Sequence, residues 1–359
     1  MTIIYLDTSV AINESFLKSP FAEAFLKACA LLQHSVVIPE IVLDELKGNY
    51  PKKFLEKSLP LLKAANELAK LIEVDLPNLH VDEATSDYYD WIDNLVSTYG
   101  IVVVPYPDIS LKDLVEKSYR LEKPFKDSGE GHKDYIVWKT IVGEINKNSA
   151  TNSFIFLTNN IKDFCESGAA GSHILHPDLC NQIDDPARRP EVYTSIKGAF
   201  DAVISPSLEG ITLNEIPNLG EQDLNSIVGD LLLEDLPRRS LYGLDGMPFN
   251  DEVSISSVGE HTIDSVSLKK IADKVVITVN GNVEVEADGF IYKHDFYSLE
   301  DGKVNLTVVD SDWNDHVIMV SANLVTPFEM TIFYSIIDRV ITGQEIALLD
   351  EIEDEWPFK

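Results

Sequence analysis

Asp7, Glu45, Asp134 and Asp163 are four carboxylates that each follow or open an apolar, strand-like or helical run. Asp7 closes the β-prone stretch Thr2-Ile3-Ile4-Tyr5-Leu6. An acid at the carboxyl end of a buried parallel strand points into the crevice where open α/β sheets do their chemistry. Four such acids in one crevice repel one another strongly unless a divalent cation sits among them. Mg2+ or Mn2+ held by carboxylates suits the hydrolysis of phosphodiesters. Each acid also has a plainer reading. Asp7 can cap the next helix through a side-chain oxygen, Glu45 can pair with Lys47 or Lys52, Asp134 can sit at a helix start because of the macrodipole, and Asp163 can be a turn acid before Phe164.

The elements that must position these acids are legible in the apolar pattern. Strands are expected at 2–7, 36–38, 101–104, 154–157 and, as the last of this unit, 174–176. Helices are expected at 20–33, after Pro39 through Glu45 and Leu46, at 52–72, 84–99 and 110–121, and from Asp134 to about 146. A loop rich in Pro, Gly and Lys spans 122–133. Strands that read apolar throughout and alternate with helices imply a mostly parallel sheet covered on both faces, the α/β class. From residue 250 the pattern changes to short alternating runs at 253–258, 275–279, 283–286, 304–309, 316–321 and 330–336. Turn signals such as Asn280-Gly281-Asn282 and Glu300-Asp301-Gly302 separate them, which reads as a smaller antiparallel β-rich unit. The expected division is 1–190, a helical connector at 191–250, and 251–359 ending in a short helix and an acidic tail.

At 359 residues and 45% apolar content the chain has room for two or three globular units. No run approaches the roughly 20 apolar residues of a membrane helix. No basic n-region opens the N-terminus, so neither a signal peptide nor a membrane partner is expected. Cys29, Cys165 and Cys180 are odd in number and widely spaced, as reduced thiols of a cytoplasmic protein are. The net charge of −31 argues against bulk nucleic-acid binding. Its distribution softens that objection: residues 1–200 carry 29 acids and 20 Lys/Arg, and residues 201–359 carry 31 acids and nine. Lys47, Lys52, Lys53 and Lys57 follow Glu45, and Lys117, Arg120, Lys123, Lys126 and Lys133 lead into Asp134. Both clusters mark places where a phosphate chain would pass, or else are solvated helix faces.

Four pieces in order carry a family resemblance: Leu6-Asp7-Thr8-Ser9; Ile38-Pro39-Glu40-Ile41-Val42-Leu43-Asp44-Glu45-Leu46; Gly131-His132-Lys133-Asp134-Tyr135; and Phe156-Leu157-Thr158-Asn159-Asn160-Ile161-Lys162-Asp163-Phe164. Over roughly residues 1–180 the chain resembles the PIN-domain nucleases, and is most similar to a longer bacterial PIN-like branch with an extra C-terminal region. The resemblance implies a Rossmann-like α/β/α fold and a nuclease dependent on Mg2+ or Mn2+, acting on single-stranded or structured RNA and less often on DNA. It assigns Asp7, Glu45, Asp134 and Asp163 as metal ligands and catalytic residues. Many relatives carry an acid directly after Thr-x, where this chain has Asn160, so Asp163 is the substitute fourth ligand and one metal or two are both open. Thr158, Asn160, Asp127 and Lys133 are the neighbouring residues expected to orient ligands or touch substrate. His132 is expected to face solvent. A toxin or phage-defence role is an analogy from the resemblance.

Other chemistries lack their residues. An aspartyl-phosphate phosphatase needs a second acid two residues after Asp7, where Ser9 stands, and no glycine-rich phosphate loop is present. The competing reading is a PIN-like interaction module without activity, which Asn160 and the acidic composition fit. The β-rich unit has no catalytic set: His261, His294 and His316 lack ligand spacing, and Trp313 and Trp356 serve as core or interface residues. Self-association or a regulatory partner is expected there.

Overall fold

The computed structural model describes residues 1–73, 79–126, 128–148, 152–166, 173–216, 219–247, 253–297 and 306–352. Contacts divide the chain into two compact units, Met1–Leu208 and Glu209–Lys359, with the boundary inside the stretch expected as a connector.

The N-terminal unit runs β1 (Thr2–Leu6), α1 (Thr8–Asn13), α2 (Pro20–Leu31), β2 (Ser35–Pro39), α3 (Glu40–Leu68), α4 (Val81–Tyr99), β3 (Val102–Val104), α5 (Leu111–Arg120), α6 (His132–Lys147), β4 (Ser153–Leu157), α7 (Ile161–Phe164), α8 (Pro177–Cys180), β5 (Glu191–Tyr193) and α9 (Ile196–Ala199). The five strands pair in parallel in the order β3-β2-β1-β4-β5. Central β1 is buried along its whole length, as a strand covered on both faces must be. The chain builds outward from β1 to β3 and then returns to β4, so the order reverses between β1 and β4. That switch point opens a crevice at their carboxyl ends. Helix ends follow local chemistry: the Ser19 hydroxyl accepts the Ala22 N–H at 2.9 Å with Pro20 in the first turn, and Gly100 closes α4 at φ 62°.

Two expectations for this unit are corrected. The separate helices expected around Glu45 and at 52–72 are one 29-residue helix, α3, with Pro51 and Pro60 inside it. Proline lacks the N–H that would bond the carbonyl four residues back. Here the Tyr89 hydroxyl from α4 donates to that carbonyl, Lys47 O, at 3.0 Å, so the helix continues. The last strand is Glu191–Tyr193, not 174–176. Leu175 makes only an isolated antiparallel bridge to Cys165 before Pro177 opens α8.

The C-terminal unit comprises β6 (Glu209–Gly210), α10 (Glu221–Asp235), β7 (Ser240–Leu241), β8 (Gly243–Leu244), β9 (Val253–Ile271), β10 (Lys274–Tyr292), α11 (Lys293–Phe296), β11 (Thr307–Asp310), β12 (Val317–Ser335), β13 (Val340–Leu348) and β14 (Glu351–Ile352). A seven-stranded antiparallel sheet has the path β11-β12-β10-β9-β6, with β13 on β12 and β7 on β9. Leu224, Val228 and Leu232 recur at every fourth position of α10 and pack in one core with Val275, Ile277 and Val279. The short runs expected here are merged: β9, β10 and β12 are 19 residues each. Asn280-Gly281-Asn282 is no turn. It lies within β10 at a register shift, and a Cβ on Gly281 would stand 2.0 Å from Thr262 O, so glycine serves a close strand approach. The helix expected after residue 343 is strand, with Leu348 opposite Phe328. Trp313 is 54% exposed and packs on Phe290 at 5.1 Å. Trp356, the acidic tail and Glu300-Asp301-Gly302 lie outside the described residues.

Candidate metal centre

Asp7 stands one residue past β1 in extended backbone, φ −94° and ψ 158°, and its side chain does not cap α1. The helix-cap reading of this acid therefore fails. Its backbone N–H donates to Leu157 O at 2.9 Å, which stitches the ends of β1 and β4 together. Its carboxylate is 2% exposed. Oδ2 accepts from the Ser9 hydroxyl at 2.7 Å, the Thr158 hydroxyl at 2.8 Å and the Asn160 amide at 3.5 Å. Ser9 Oγ also accepts the Asn159 N–H at 2.9 Å, and Thr158 Oγ1 accepts the Asn160 N–H at 3.1 Å. The turn after β4 is thus built around one oxygen of Asp7.

Asp134 sits in the first turn of α6, after Gly131. The Asn160 Nδ2 reaches its Oδ1 at 3.2 Å and so lies between Asp7 and Asp134. Glu45 projects from the second turn of α3, where the Thr8 hydroxyl donates to its Oε2 at 2.6 Å and Lys133 Nζ lies 2.7 Å from its Oε1. Asp163, on α7, is 6% exposed and meets Lys126 Nζ at 3.3 Å. It lies in the single helical turn that ends at Phe164, and it is buried there. Glu45 pairs with neither Lys47 nor Lys52: Lys47 bonds Asp93 at 2.8 Å.

Electrostatics tie the four together. Burial pushes the Asp7 carboxyl above its ordinary range; hydrogen bonds from Ser9, Thr158 and the Thr8 backbone oppose this, and Glu45 adds to it. Asp134 is pushed up to about 6, first by burial, then by the charges of Asp7 and Asp163, with Lys126 opposing and Glu45 adding. Among the described residues, no three His, Cys, Asp or Glu side chains stand close enough to close around one ion. The donor set nevertheless fits a hard divalent cation: it is all oxygen and strongly negative, and where a cation would neutralise it, side-chain donors stand in. The Asn160 amide faces Asp7 and Asp134, Lys133 faces Glu45, and Lys126 faces Asp163.

Of the neighbouring residues expected to assist, Thr158, Asn160 and Lys133 all contact one of the acids. Asp127 lies outside the described residues. His132 is exposed, with its ring edge-on to Phe125 at 5.4 Å. Reading the sequence for acids missed Thr8 and Ser9 as the hydroxyls that hold Glu45 and Asp7. The signal was their adjacency to Asp7 in Asp7-Thr8-Ser9. Lys126, one of the lysines expected along a phosphate path, meets Asp163. The three cysteines are buried and free, and no helix among the described residues is long and apolar enough to cross a membrane.

No curated protein and no solved structure matches the chain. Residues 4–164 match the family model of the PIN domain, a stretch running from β1 through α7 that takes in all four carboxylates. The N-terminal unit is accordingly a PIN-like α/β/α domain, similar to a superfamily of nucleases whose members generally use divalent metals.

Proposed function

We propose that the chain is a divalent-metal-dependent nuclease that hydrolyses phosphodiester bonds, with single-stranded or structured RNA as its substrate. The observation that carries this reading is the placement of Asp7 and Asp134 on either side of the Asn160 amide, at 3.5 Å and 3.2 Å, with burial and the charges of Asp7, Asp163 and Glu45 all raising the Asp134 carboxyl. Structural acids avoid such mutual repulsion, whereas sites built to receive a cation tolerate it. Asp7, Glu45 and Asp134 are the proposed ligands, with Asp163 or the Asn160 amide oxygen as the fourth. Mg2+ or Mn2+ bound there supplies Lewis acidity toward a phosphate and acidifies water. The chain's own contribution is to orient and to hold. Ser9 and Thr158 fix the Asp7 carboxylate through Oδ2, which leaves Oδ1 as the oxygen for a cation. Thr8 does the same for Glu45. Lys126 and Lys133, half exposed or more, would be freed from Asp163 and Glu45 by a bound cation and are the residues that would hold phosphate oxygens.

The test is cleavage of labelled single-stranded RNA, single-stranded DNA and duplex DNA with Mg2+ or Mn2+, beside Asp7→Asn. The expected result is RNA cleavage by the wild type and its loss by at least a hundredfold in the variant. Equal rates in both would remove Asp7 from the site. A second reading, a PIN-like interaction module without activity, is favoured by Asn160 in an acid's place and by the lysines seated on Glu45 and Asp163. It requires that Mn2+ bind no more tightly to the wild type than to Asp7→Asn in calorimetry.

A further inference from the structure

The N-terminal unit has a second concave surface that the proposed hydrolysis does not use. A cavity of about 310 Å³ lies between the end of α1 and the middle of α3. Ile12, Phe16, Tyr50 and Phe54 form its walls, and Lys53 and Lys57 its rim. Tyr50 and Phe54 are one turn apart on α3, with ring centroids 6.3 Å apart and planes within 25°. Tyr50 is fixed in place: it stacks on the buried Tyr88 at 4.0 Å and 6°, and the Phe16 ring meets it edge-on at 5.3 Å. Phe54 is the next ring outward and is only partly buried.

Lys53 and Lys57, also one turn apart, run beside the two rings. Lys53 meets Glu56 at 2.8 Å, but both side chains are about half exposed, so the pair is weak and easily exchanged. Residues 47–57 carry four lysines and one acid in a chain of net charge −31. An aromatic hollow with a cationic rim complements a flat π-face joined to phosphate, which is what each unpaired nucleotide offers. A duplex keeps its bases stacked inside, and an apolar peptide lacks the charge.

Resting on the nuclease reading above, we propose that this hollow is a base-stacking subsite for single-stranded nucleic acid. One base lies on Phe54, extending the stack of Tyr50 and Tyr88, while Lys53 and Lys57 hold the flanking phosphates. Phe54 is nine residues beyond Glu45 on α3, or about 14 Å along the helix axis. The stacked base therefore belongs to a nucleotide some positions away from the bond that is cut.

The test is fluorescence anisotropy of the full chain with a labelled single-stranded RNA oligonucleotide in EDTA, where no turnover occurs. Phe54→Ala should weaken binding by roughly 5- to 100-fold. Phe54→Tyr should retain affinity and Phe54→Leu should not, because stacking rather than volume is what counts. Lys57→Gln, a change at an exposed position, should lower the salt slope by about 0.7. An oligonucleotide series with one abasic position moved along the strand should contain one member that Phe54→Ala no longer weakens. Adenosine monophosphate should compete poorly; competition equal to that of the strand would overturn a strand subsite in favour of a mononucleotide site. Wild-type affinity in folded Phe54→Ala and Phe54→Leu overturns the subsite, and if those variants also cleave normally with Mn2+, the nuclease reading stands without it. Binding through Phe54 without cleavage leaves the subsite standing and removes the nuclease reading. No binding of any single strand overturns the subsite.

Discussion

Asn160 is the residue that sets the charge of the crevice. It places a neutral amide between Asp7 and Asp134, where an acid would add a further negative charge. Asn160→Asp should therefore destabilise the metal-free protein by about 1–3 kcal/mol at neutral pH and tighten Mn2+ binding, as read by melting in EDTA and by titration calorimetry. Weaker Mn2+ binding in that variant would count against a cation at this position. Asp134 makes a pH prediction. Its folded carboxyl titrates at about 6 against an ordinary 3.8, so the folded state binds its proton more tightly than the unfolded state does. Ionisation therefore costs stability: the cost is absent below the ordinary value, grows as pH rises, and is complete above the folded value. Asp134→Asn should make the metal-free protein more stable above pH 6, by about 1–3 kcal/mol, with the difference vanishing toward pH 4. Denaturant midpoints across that range in EDTA measure it, and a constant difference at all pH values would contradict the assignment.

At the scale of elements, the loop between α5 and α6 delivers Lys126 to Asp163, and the first turn of α6 delivers Lys133 to Glu45. Gly131 closes that loop at φ 123°, and a Cβ there would stand 2.8 Å from Pro124 O and 3.0 Å from Phe125 Cα. Neither obstacle is the end of a flexible side chain. Gly131→Ala should cost about 2–4 kcal/mol by urea unfolding and should weaken cleavage as well, since the start of α6 positions Asp134. An unchanged urea midpoint would show that the loop relaxes freely. α3 illustrates a different dependence. Two prolines mark it in sequence as two helices, yet Tyr89 of α4 supplies the donor that Pro51 withholds, and one helix carries both Glu45 and the Tyr50–Phe54 hollow.

For the whole molecule, the two compact units meet in sequence at Leu208 and Glu209. Pro206, Pro217, Pro237 and Pro248 punctuate the region. Limited proteolysis should cut close to Leu208 and Glu209 and leave two resistant pieces, the usual behaviour of domains with separate cores. A first cut within 153–166 would contradict this, because β4 lies at the centre of a sheet. Residues 209–359 hold 30 acids against nine Lys/Arg. Free of that charge, the N-terminal piece should bind single-stranded RNA more tightly than the full chain, most clearly at low salt.

The sequence alone determined the parallel α/β unit, since apolar runs such as Thr2–Leu6 and Phe154–Leu157 can only be strands buried on both faces. It also marked Asp7, Glu45, Asp134 and Asp163, because an acid directly after or within such elements stands out from a solvated surface. What it left open depended on contacts between distant segments. Whether Pro51 ends a helix depends on Tyr89, 38 positions away in sequence. Whether Asn280-Gly281-Asn282 turns depends on Thr262 pressing against the neighbouring strand. That Glu191–Tyr193 rather than 174–176 completes the sheet depends on the free edge of β4. The charge balance of the crevice, with Ser9 and Thr158 on one oxygen of Asp7 and lysines on Glu45 and Asp163, was likewise decided only by the fold, because hydrogen bonds and ion pairs join residues by distance in space and leave no periodicity along the chain.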